Sequence, residues 1–469
     1  MLAHHRPRVR RRQVRQPAVH DQGVDDPLRA AAVAAGARRA VIDLGQDYWV
    51  SWFQLDDLAH QWSQRLSRQG LIPGQRVALQ EPAGVRFAAI LHACLRCSAA
   101  LVPISPSAHP EDLARILADA RPRFLIRDAE VMELEDPAEG DPEDATVLYT
   151  SGTSGPPKGV RHTLSNHLAS ARGCLDALGV DARDRWLLTL SPHHVGGLAI
   201  FIRNSLAMAS CITLPEFEEG AVLGAIRDHG ATLISLVPTM LERLLAAGGE
   251  DELRRLRVIL IGGAPAPAER VREWIELGLK VAPSYGMTET ASQIAIASPT
   301  EALEHPGSAG RVGSHARVEI EAGEIVVSGP SLFAGYVNPE LNSEPDPTRF
   351  HTGDLGRLDG DVLSVLGRAD DTIITGGENV RPEEVEAVLS SHPGVREAVV
   401  AGIDDPLWGQ VVGAWVVGEV TPDELGAFCR ERLPNFKIPK QWMVVNAIPR
   451  GSGGKVSRRT LGKTRTNFT

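Results

Sequence analysis

The segment VLYTSGTSGPPKGVRH, residues 147–162, contains a β-like run that ends at Tyr149 and then a loop of small and hydroxyl-bearing residues. Glycines let backbone N–H groups approach an anion closely, hydroxyls add hydrogen-bond donors, and a lysine adds a full positive charge. A flexible surface turn would explain the small residues but neither the preceding strand nor the lysine. The sequence therefore predicts a polyphosphate-binding loop formed by Thr150, Ser151, Gly152, Thr153, Ser154, Gly155 and Lys158. It is not a Walker A motif, because Gly159 follows Lys158 where that motif has Ser or Thr.

Helical and β-rich stretches alternate on both sides of this loop. The helical pattern of residues 55–70 is followed by β-rich runs at 76–82 and 100–105, and the alternation resumes after Val147. Such a pattern is typical of an α/β fold. Residues 129–145, AEVMELEDPAEGDPEDA, are acidic and contain proline, which predicts a surface loop.

The pattern changes toward the C-terminus. Residues 316–337, ARVEIEAGEIVVSGPSLFAGYV, carry β-rich segments without long helices, which predicts a small antiparallel subdomain. Later, a glycine-broken turn precedes a helix with Pro382 near its start, two strands and a helix with a capping box from Thr421 to Glu424. We therefore expect three parts: a disordered basic extension at 1–25, a large N-terminal α/β domain at 26–367 and a small α+β domain at 368–469.

Composition limits the classes of function. The chain has 469 residues, of which 43% are hydrophobic and 23% are charged, and its formal net charge is −10. This charge does not fit a nucleic-acid binder, which needs a surplus of Lys and Arg to displace counterions from phosphates. No apolar run approaches the roughly 20 residues needed to span a bilayer, so we expect no stable membrane insertion. The Arg-rich start, MLAHHRPRVRRRQVRQ, lacks a following apolar run, which argues against a secretory signal.

The cysteines indicate a reducing compartment. Five of them, an odd number, are scattered along the chain, which suits free thiols in a cytoplasm better than a disulfide framework. Cys94 and Cys97 form a C-x-x-C pair, but no second pair or nearby histidine cluster completes a zinc site. We expect these two to be small core residues of a helix. We also expect a cytoplasmic protein, and a homo-oligomer is possible.

Residues 147–162 also resemble the phosphate-binding signature of the adenylate-forming (AMP-binding) enzyme superfamily, which includes acyl-CoA ligases, peptide-synthetase adenylation domains and luciferases. Four more segments resemble motifs of that family in the right order: SYGMTETAS at 284–292, HTGDLG at 351–356, GRADDTIITGGENVRPEEVE at 367–386 and IPRGSGGKVSRR at 448–459. Any one of them is weak evidence, whereas five in order identify the chain as a member. The resemblance implies a large N-terminal adenylate-forming domain and a small, mobile C-terminal domain.

The resemblance also implies ATP, Mg²⁺ and CoA as cofactors or co-substrates and gives roles to individual residues. Tyr285 would pack on adenine, and Glu289 would serve Mg²⁺ as metal ligand and catalytic residue. Asp354 would accept hydrogen bonds from the ribose hydroxyls, which Arg368 also reaches, and Lys455 would be the catalytic lysine. The remaining nucleotide-binding residues would be Gly263, Ala264, Pro265, Ser284, Gly286, Met287 and Thr288.

The chemistry of the two half-reactions agrees with these roles. Attack of a carboxylate on the α-phosphate of ATP brings two anionic groups together, so a cation such as Lys455 must bridge them. A thiol then attacks the acyl-adenylate. The resemblance implies that the C-terminal domain turns about Asp370 for this step and presents a pantetheine tunnel formed by Gly376, Gly377, Glu378 and Trp408.

The acid substrate is indicated by residues 191–209, SPHHVGGLAIFIRNSLAMA, which resemble the pocket helix of o-succinylbenzoate CoA ligases of menaquinone biosynthesis. Arg203 interrupts an apolar run there, and a buried guanidinium needs an anionic partner. It could bind the second carboxylate of o-succinylbenzoate, with His194, Gly196 and Gln293 lining the pocket. The alternatives are a structural salt bridge for Arg203, another aryl- or acyl-CoA ligase, and, remotely, a non-catalytic nucleotide-binding protein.

Overall fold

A computed structural model describes residues 26–150, 158–341, 346, 348–450 and 456–463. Within these ranges the helices are α1 Pro27–Ala35, α2 Trp52–Arg68, α3 Val85–Arg96, α4 Pro110–Ala120, α5 Leu164–Leu178, α6 Val195–Ala207, α7 Glu219–His229, α8 Pro238–Ala246, α9 Glu250–Arg255, α10 Ala268–Glu276, α11 Pro299–Glu304, α12 Pro382–Ser390, α13 Pro422–Arg430 and α14 Arg458–Lys463. The strands are β1 Arg39–Asp43, β2 Tyr48–Ser51, β3 Arg76–Gln80, β4 Ala100–Pro103, β5 Phe124–Arg127, β6 Glu130–Glu133, β7 Asp144–Thr150, β8 Lys158–Thr163, β9 Arg185–Leu188, β10 Ser210–Thr213, β11 Leu233–Leu236, β12 Val258–Ile261, β13 Val281–Met287, β14 Ser292–Ile296, β15 Gly310–Val312, β16 Arg317–Glu321, β17 Glu324–Ser328, β18 Gly335–Tyr336, β19 Arg349–Asp359, β20 Val362–Arg368, β21 Ile373–Thr375, β22 Glu378–Val380, β23 Val395–Asp405, β24 Gly409–Gly418 and β25 Gln441–Val444.

The described strands form three sheets. The largest has the order β16-β17-β19-β20-β15-β14-β13-β12-β11-β9-β10-β1-β2, and the second has the order β18-β8-β7-β4-β3-β5-β6. In the largest sheet the strands from β9 to β13 pair in parallel. Helices α6 to α10 connect these strands, as parallel pairing requires. The predicted α/β class is therefore confirmed for this part of the chain.

The predicted antiparallel subdomain at 316–337 is divided between two sheets. Strand β16 pairs antiparallel with β17, and β17 pairs antiparallel with β19. This unit continues the largest sheet through β20 and β15. Strand β18, however, pairs with β8 of the second sheet. The chain leaves the first sheet after β17 through Gly329, whose φ of 119° is strained for residues with a side chain.

The prediction of a surface loop at 129–145 is partly wrong. Residues Glu130–Glu133 form β6, an edge strand that pairs antiparallel with β5, and β7 already begins at Asp144. Asp144 is buried and forms an ion pair with Arg161 at 2.9 Å, with its Oδ2 and the arginine Nε as partners. An exposed edge strand needs no apolar alternation, so its sequence resembles that of a loop.

The third sheet forms the core of the small α+β part. Its strand order is β22-β21-β24-β23, with β25 parallel to β24. The capping box predicted for α13 is present: the backbone N–H of Glu424 donates to Thr421 Oγ1 at 3.3 Å, and that of Thr421 donates to Glu424 Oε2 at 2.8 Å. Pro382 occupies the first turn of α12, as predicted.

The prediction of two helical core thiols is confirmed for Cys94, whereas Cys97 is half-buried and follows the last residue of α3. All five cysteines are free, Cys94 is buried on α3 and Cys97 caps the same helix. In the ranges that the structure covers, no group of three or more His, Cys, Asp or Glu side chains is placed to hold a metal ion. None of the described helices has the length and apolar character required to cross a membrane.

Candidate active site

A cleft of about 3530 Å³ gathers most of the predicted site residues. Both the large α/β part and the small α+β part contribute to its lining. The predicted residues that line it are Thr150, Lys158, His194, Gly196, Gly263, Ala264, Pro265, Ser284, Tyr285, Gly286, Met287, Thr288, Glu289, Gln293, Asp354, Arg368 and Asp370. Five loop residues, Ser151, Gly152, Thr153, Ser154 and Gly155, lie outside the described residues, as does Lys455.

A β-hairpin presents the two ends of the predicted phosphate loop to the cleft. Strand β7 ends at Thr150, β8 begins at Lys158, and these two residues are paired across the antiparallel ladder. Gly159 leaves no room for a side chain, because a Cβ there would lie 2.8 Å from Val337 and 2.9 Å from the Tyr149 ring. The hairpin thus places the start and end of the predicted loop at the same edge of the cleft.

Three side chains form a polar corner of the cleft. The Tyr285 hydroxyl donates to Asp354 Oδ2 at 2.7 Å, and Arg368 Nη1 lies 3.1 Å from Asp354 Oδ1. The register of β19 and β20 places Asp354 opposite Arg368. Burial raises the pKa of Asp354, while the Tyr285 hydroxyl and the Arg368 guanidinium oppose that shift. Burial, followed by the Asp354 carboxylate, also raises the pKa of Tyr285, which keeps the phenol a hydrogen-bond donor.

Glu289 is held in a short 3-10 turn at Thr288–Thr290. Its Oε1 accepts a hydrogen bond from the Tyr336 hydroxyl at 3.0 Å, and its backbone oxygen accepts one from Phe333 N at 2.9 Å. His162 Nε2 donates to the preceding carbonyl, Thr288 O, at 2.6 Å. A single carboxylate fits Mg²⁺ bound to a nucleotide, because Mg²⁺ usually takes one or two protein carboxylates together with phosphate oxygens and waters.

Arg203 lies behind the cleft on α6 and is 0% exposed. Its Nη2 donates to Ser292 Oγ at 3.0 Å and to Gln293 Oε1, and its guanidinium lies 5.6 Å from the Trp186 ring centroid. Within the described part of the chain it makes no ion pair, and its Nε and Nη1 have no hydrogen-bond partner. Burial lowers the pKa of Arg203. The alternative of a structural salt bridge therefore finds no partner in those residues.

Ser292 and Gln293 separate Arg203 from the cleft, since both line it and Arg203 does not. Ser292 has a φ of 114° and Ala291 a φ of 52°, conformations that cost residues with a side chain of the order of 1 kcal/mol or more. Gln293, three residues after the Glu289 turn ends at Thr290, follows this strained stretch and lines the pocket. His194 caps the start of α6 at the same cleft.

The predicted CoA residues lie on the third sheet, away from the cleft lining. Gly376 N donates to the Trp408 carbonyl at 2.8 Å, and a Cβ on Gly376 would lie 2.6 Å from the indole ring. Trp408 is 44% exposed, and Lys440 Nζ lies 3.6 Å from its ring centroid. Gly377 and Glu378 complete the turn into β22. The structure brings these four predicted residues together, beside an exposed aromatic face.

Comparison with known proteins decides the family. The AMP-binding enzyme family matches residues 28–140 and 129–337, and the AMP-binding enzyme C-terminal domain matches residues 384–455. The chain belongs to the AMP-binding enzyme family. This AMP-binding enzyme is 36% identical over 463 residues to a 2-succinylbenzoate–CoA ligase of Bacillus cereus, with 90% of this chain and 95% of the relative covered.

Solved structures agree with this family. The o-succinylbenzoate CoA synthetase from Bacillus subtilis in complex with the acyl-adenylate intermediate OSB-AMP superimposes with a TM-score of 0.84 at 33% identity, covering 94% of this chain and 98% of that one. The same Bacillus subtilis synthetase in complex with ATP and magnesium ion gives a TM-score of 0.82 at 33% identity, with 93% and 99% covered. The predicted fold, with a large N-terminal and a small C-terminal domain, is confirmed for this AMP-binding enzyme.

The structure adds residues that the sequence analysis of this AMP-binding enzyme missed. Tyr336, His162 and Ser292 contact predicted site residues, yet none of them was a candidate. Tyr336 and His162 both lie in the quoted segments, but nothing in those segments indicates that β18 pairs with β8 or that either residue reaches the turn at Glu289.

Proposed function

We propose that this AMP-binding enzyme is an ATP-dependent o-succinylbenzoate CoA ligase that serves menaquinone biosynthesis. It activates the acid as an acyl-adenylate and transfers the acyl group to CoA, with AMP and pyrophosphate as the other products. The observation that carries the choice of acid is Arg203, a fully buried guanidinium with no ion-pair partner among the described residues. The similarity to ligases named for this substrate supports the same choice.

A buried guanidinium of this kind favours a dicarboxylate substrate. Removing a charge from water costs roughly several kcal/mol unless an opposite charge or good hydrogen bonds compensate. Gln293 Oε1 accepts from Arg203, so the amide nitrogen of Gln293 is left to donate to a carboxylate in the cleft. The second carboxylate of o-succinylbenzoate would accept a hydrogen bond from this amide and be attracted by the Arg203 charge behind it. If the Gln293 side chain changed rotamer, the carboxylate would contact Arg203 directly.

For the first half-reaction we assign the nucleotide to the polar corner formed by Tyr285, Asp354 and Arg368 and to the hairpin of β7 and β8. Asp354, positioned by Tyr285 and Arg368, would accept hydrogen bonds from the ribose hydroxyls, and Lys158 would face the phosphates. An oxygen of the substrate carboxylate attacks the α-phosphorus, a new P–O bond forms, and the bond to the bridging oxygen breaks as pyrophosphate leaves. Glu289 would hold Mg²⁺, and the bound ion supplies positive charge to the departing pyrophosphate.

In the same scheme Lys455 would provide the cation between acid and α-phosphate. For the second half-reaction we assign Gly376, Gly377, Glu378 and Trp408 to CoA, whose sulfur attacks the acyl carbon while AMP leaves. The proposed boundary between the domains is at 367–368, with Asp370 as the pivot. The proposal places the enzyme in the cytoplasm, where thiols stay reduced.

The test is pyrophosphate release by the purified protein with ATP, Mg²⁺ and CoA. Three acids are compared: o-succinylbenzoate, benzoate and a medium-chain fatty acid. We expect turnover with o-succinylbenzoate and little with the other two. Preference for benzoate or the fatty acid would leave an acyl-CoA ligase of another specificity. ATP binding without pyrophosphate release from any acid would indicate a non-catalytic nucleotide-binding protein.

A further inference from the structure

We propose that Tyr336 is a positioning residue that orients the Glu289 carboxylate for the metal–nucleotide complex. The inference rests on the proposed function, because it takes Glu289 as the ligand of Mg²⁺. It concerns how this chain holds that carboxylate in place and which side chain is responsible.

Tyr336 lies between two charged groups of the cleft. Its hydroxyl donates to Glu289 Oε1 at 3.0 Å, across 47 residues of sequence. The face of its ring lies 5.5 Å from Lys158 Nζ, the lysine at the end of the phosphate loop. The side chain is only 8% exposed, so its position is fixed by packing. One aromatic side chain therefore contacts the carboxylate on one side and the phosphate-loop lysine on the other.

The backbone around Tyr336 is attached to both partners. Strand β18 pairs antiparallel with β8, where Tyr336 is opposite Val160. Phe333 packs edge-on against the Tyr336 ring, with centroids 4.9 Å apart, and its N–H donates to the backbone oxygen of Glu289. Ala334 N donates to the Arg161 carbonyl at 2.9 Å. Residues 333–336 thus form a brace between β8 and the turn that carries Glu289.

A hydrogen bond to a metal-binding carboxylate fixes which way its oxygens point. Loss of such an outer partner typically costs about 10- to 100-fold in metal affinity or activity. The Tyr336→Phe variant removes the hydroxyl alone and keeps the ring, its packing against Phe333 and its contact with Lys158. It therefore separates orientation of Glu289 from the structural role of the aromatic ring.

The experiment is calorimetric titration of the full-length protein with ATP, without acid or CoA, once with Mg²⁺ and once with EDTA. For Tyr336→Phe we expect affinity for ATP in Mg²⁺ to fall about 10-fold while affinity in EDTA stays at the wild-type value. The matched control is Tyr48→Phe, since Tyr48 is 43% exposed on the edge strand β2. It should bind ATP like the wild type in both buffers.

A double-mutant cycle shows whether the effect acts through Glu289. In a Glu289→Gln background, Tyr336→Phe should cause no further loss of affinity in Mg²⁺. The proposal would be overturned if Tyr336→Phe bound ATP in Mg²⁺ with wild-type affinity, or if its affinity for ATP fell equally in EDTA. It would also be overturned if Tyr336→Phe caused its full loss of ATP affinity in the Glu289→Gln background. Failure of the proposed function gives a different result, because the wild type itself would then release no pyrophosphate with o-succinylbenzoate.

Discussion

Arg203 donates a hydrogen bond to the side-chain oxygen of Gln293, so a guanidinium that is 0% exposed reaches the cleft through an amide. The Trp186 ring lies on one side of that guanidinium and the Ser292 hydroxyl on another. The pocket thus presents a neutral donor at its surface and a positive charge one layer behind it.

Substitution of Arg203 by Met should impair use of o-succinylbenzoate chiefly through KM. Met keeps much of the volume and removes the charge, and loss of one member of a buried charge pair costs about 2 kcal/mol or more, or roughly 30-fold in affinity. Steady-state pyrophosphate release gives KM and kcat. Arg172→Met, at an exposed position of α5, is the control. An unchanged KM for Arg203→Met would remove Arg203 from the acid site.

Substitution of Asp354 by Asn should weaken ATP binding by about 10- to 100-fold, since hydrogen bonds to a charged group contribute about 1.5–3 kcal/mol each. Asn has one acceptor oxygen and no negative charge, so the Tyr285 hydroxyl and the Arg368 guanidinium could not both keep their present acceptor oxygens. Isothermal calorimetry with ATP measures the change, and Asp251→Asn, at an exposed position of α9, is the control. Wild-type affinity for ATP in Asp354→Asn would contradict the assignment of this corner to the ribose.

Substitution of Gly376 by Ala should slow acyl transfer to CoA about 10- to 100-fold, because displacement of a binding group by an ångström can cost that much. A Cβ there would lie 2.6 Å from the Trp408 ring. The first half-reaction, measured as a pyrophosphate burst without CoA, should be unchanged. Gly360→Ala is a matched control: Gly360 has a φ of 62° against 58° for Gly376, but nothing lies within 4 Å of its Cβ position. Equal effects of the two variants would point to backbone strain instead of CoA.

The Glu383→Gln variant should alter the pH dependence of stability. Burial raises the pKa of Glu383 to about 7, while Arg458 opposes the shift, and Glu386 and Asp371 add negative charge nearby. The stability from this raised pKa is present below the unfolded-state pKa and is lost as pH rises through about 7.

Between about pH 5 and about pH 8 the variant should therefore gain on the wild type by up to about 3 kcal/mol in unfolding free energy. Thermal or urea unfolding of both proteins across that range measures the difference. Glu384→Gln, the exposed neighbour on α12, is the control and should show no such trend. A pH-independent difference between Glu383→Gln and the wild type would show that Glu383 does not titrate in this range.

Much of the candidate site could be predicted because its parts are local. Short segments, whose residue types indicate their chemistry, contain most of the predicted site. They hold the hydroxyl- and glycine-rich loop ending at Lys158, the carboxylates Glu289 and Asp354, and the glycines beside Trp408. The alternation of helices and strands likewise predicted the α/β class. The edge strand β6 was missed because an exposed strand lacks the apolar pattern that distinguishes it from a loop.

The sequence by itself determined the family, the nucleotide chemistry and the presence of a buried arginine, since motif order and apolar periodicity are properties of consecutive residues. Only the tertiary structure decided what those residues contact. Arg203 meets Gln293 across 90 residues, and Tyr336 meets Glu289 across 47. Such contacts depend on which strands pair and in which register, and register is set by packing of the whole sheet.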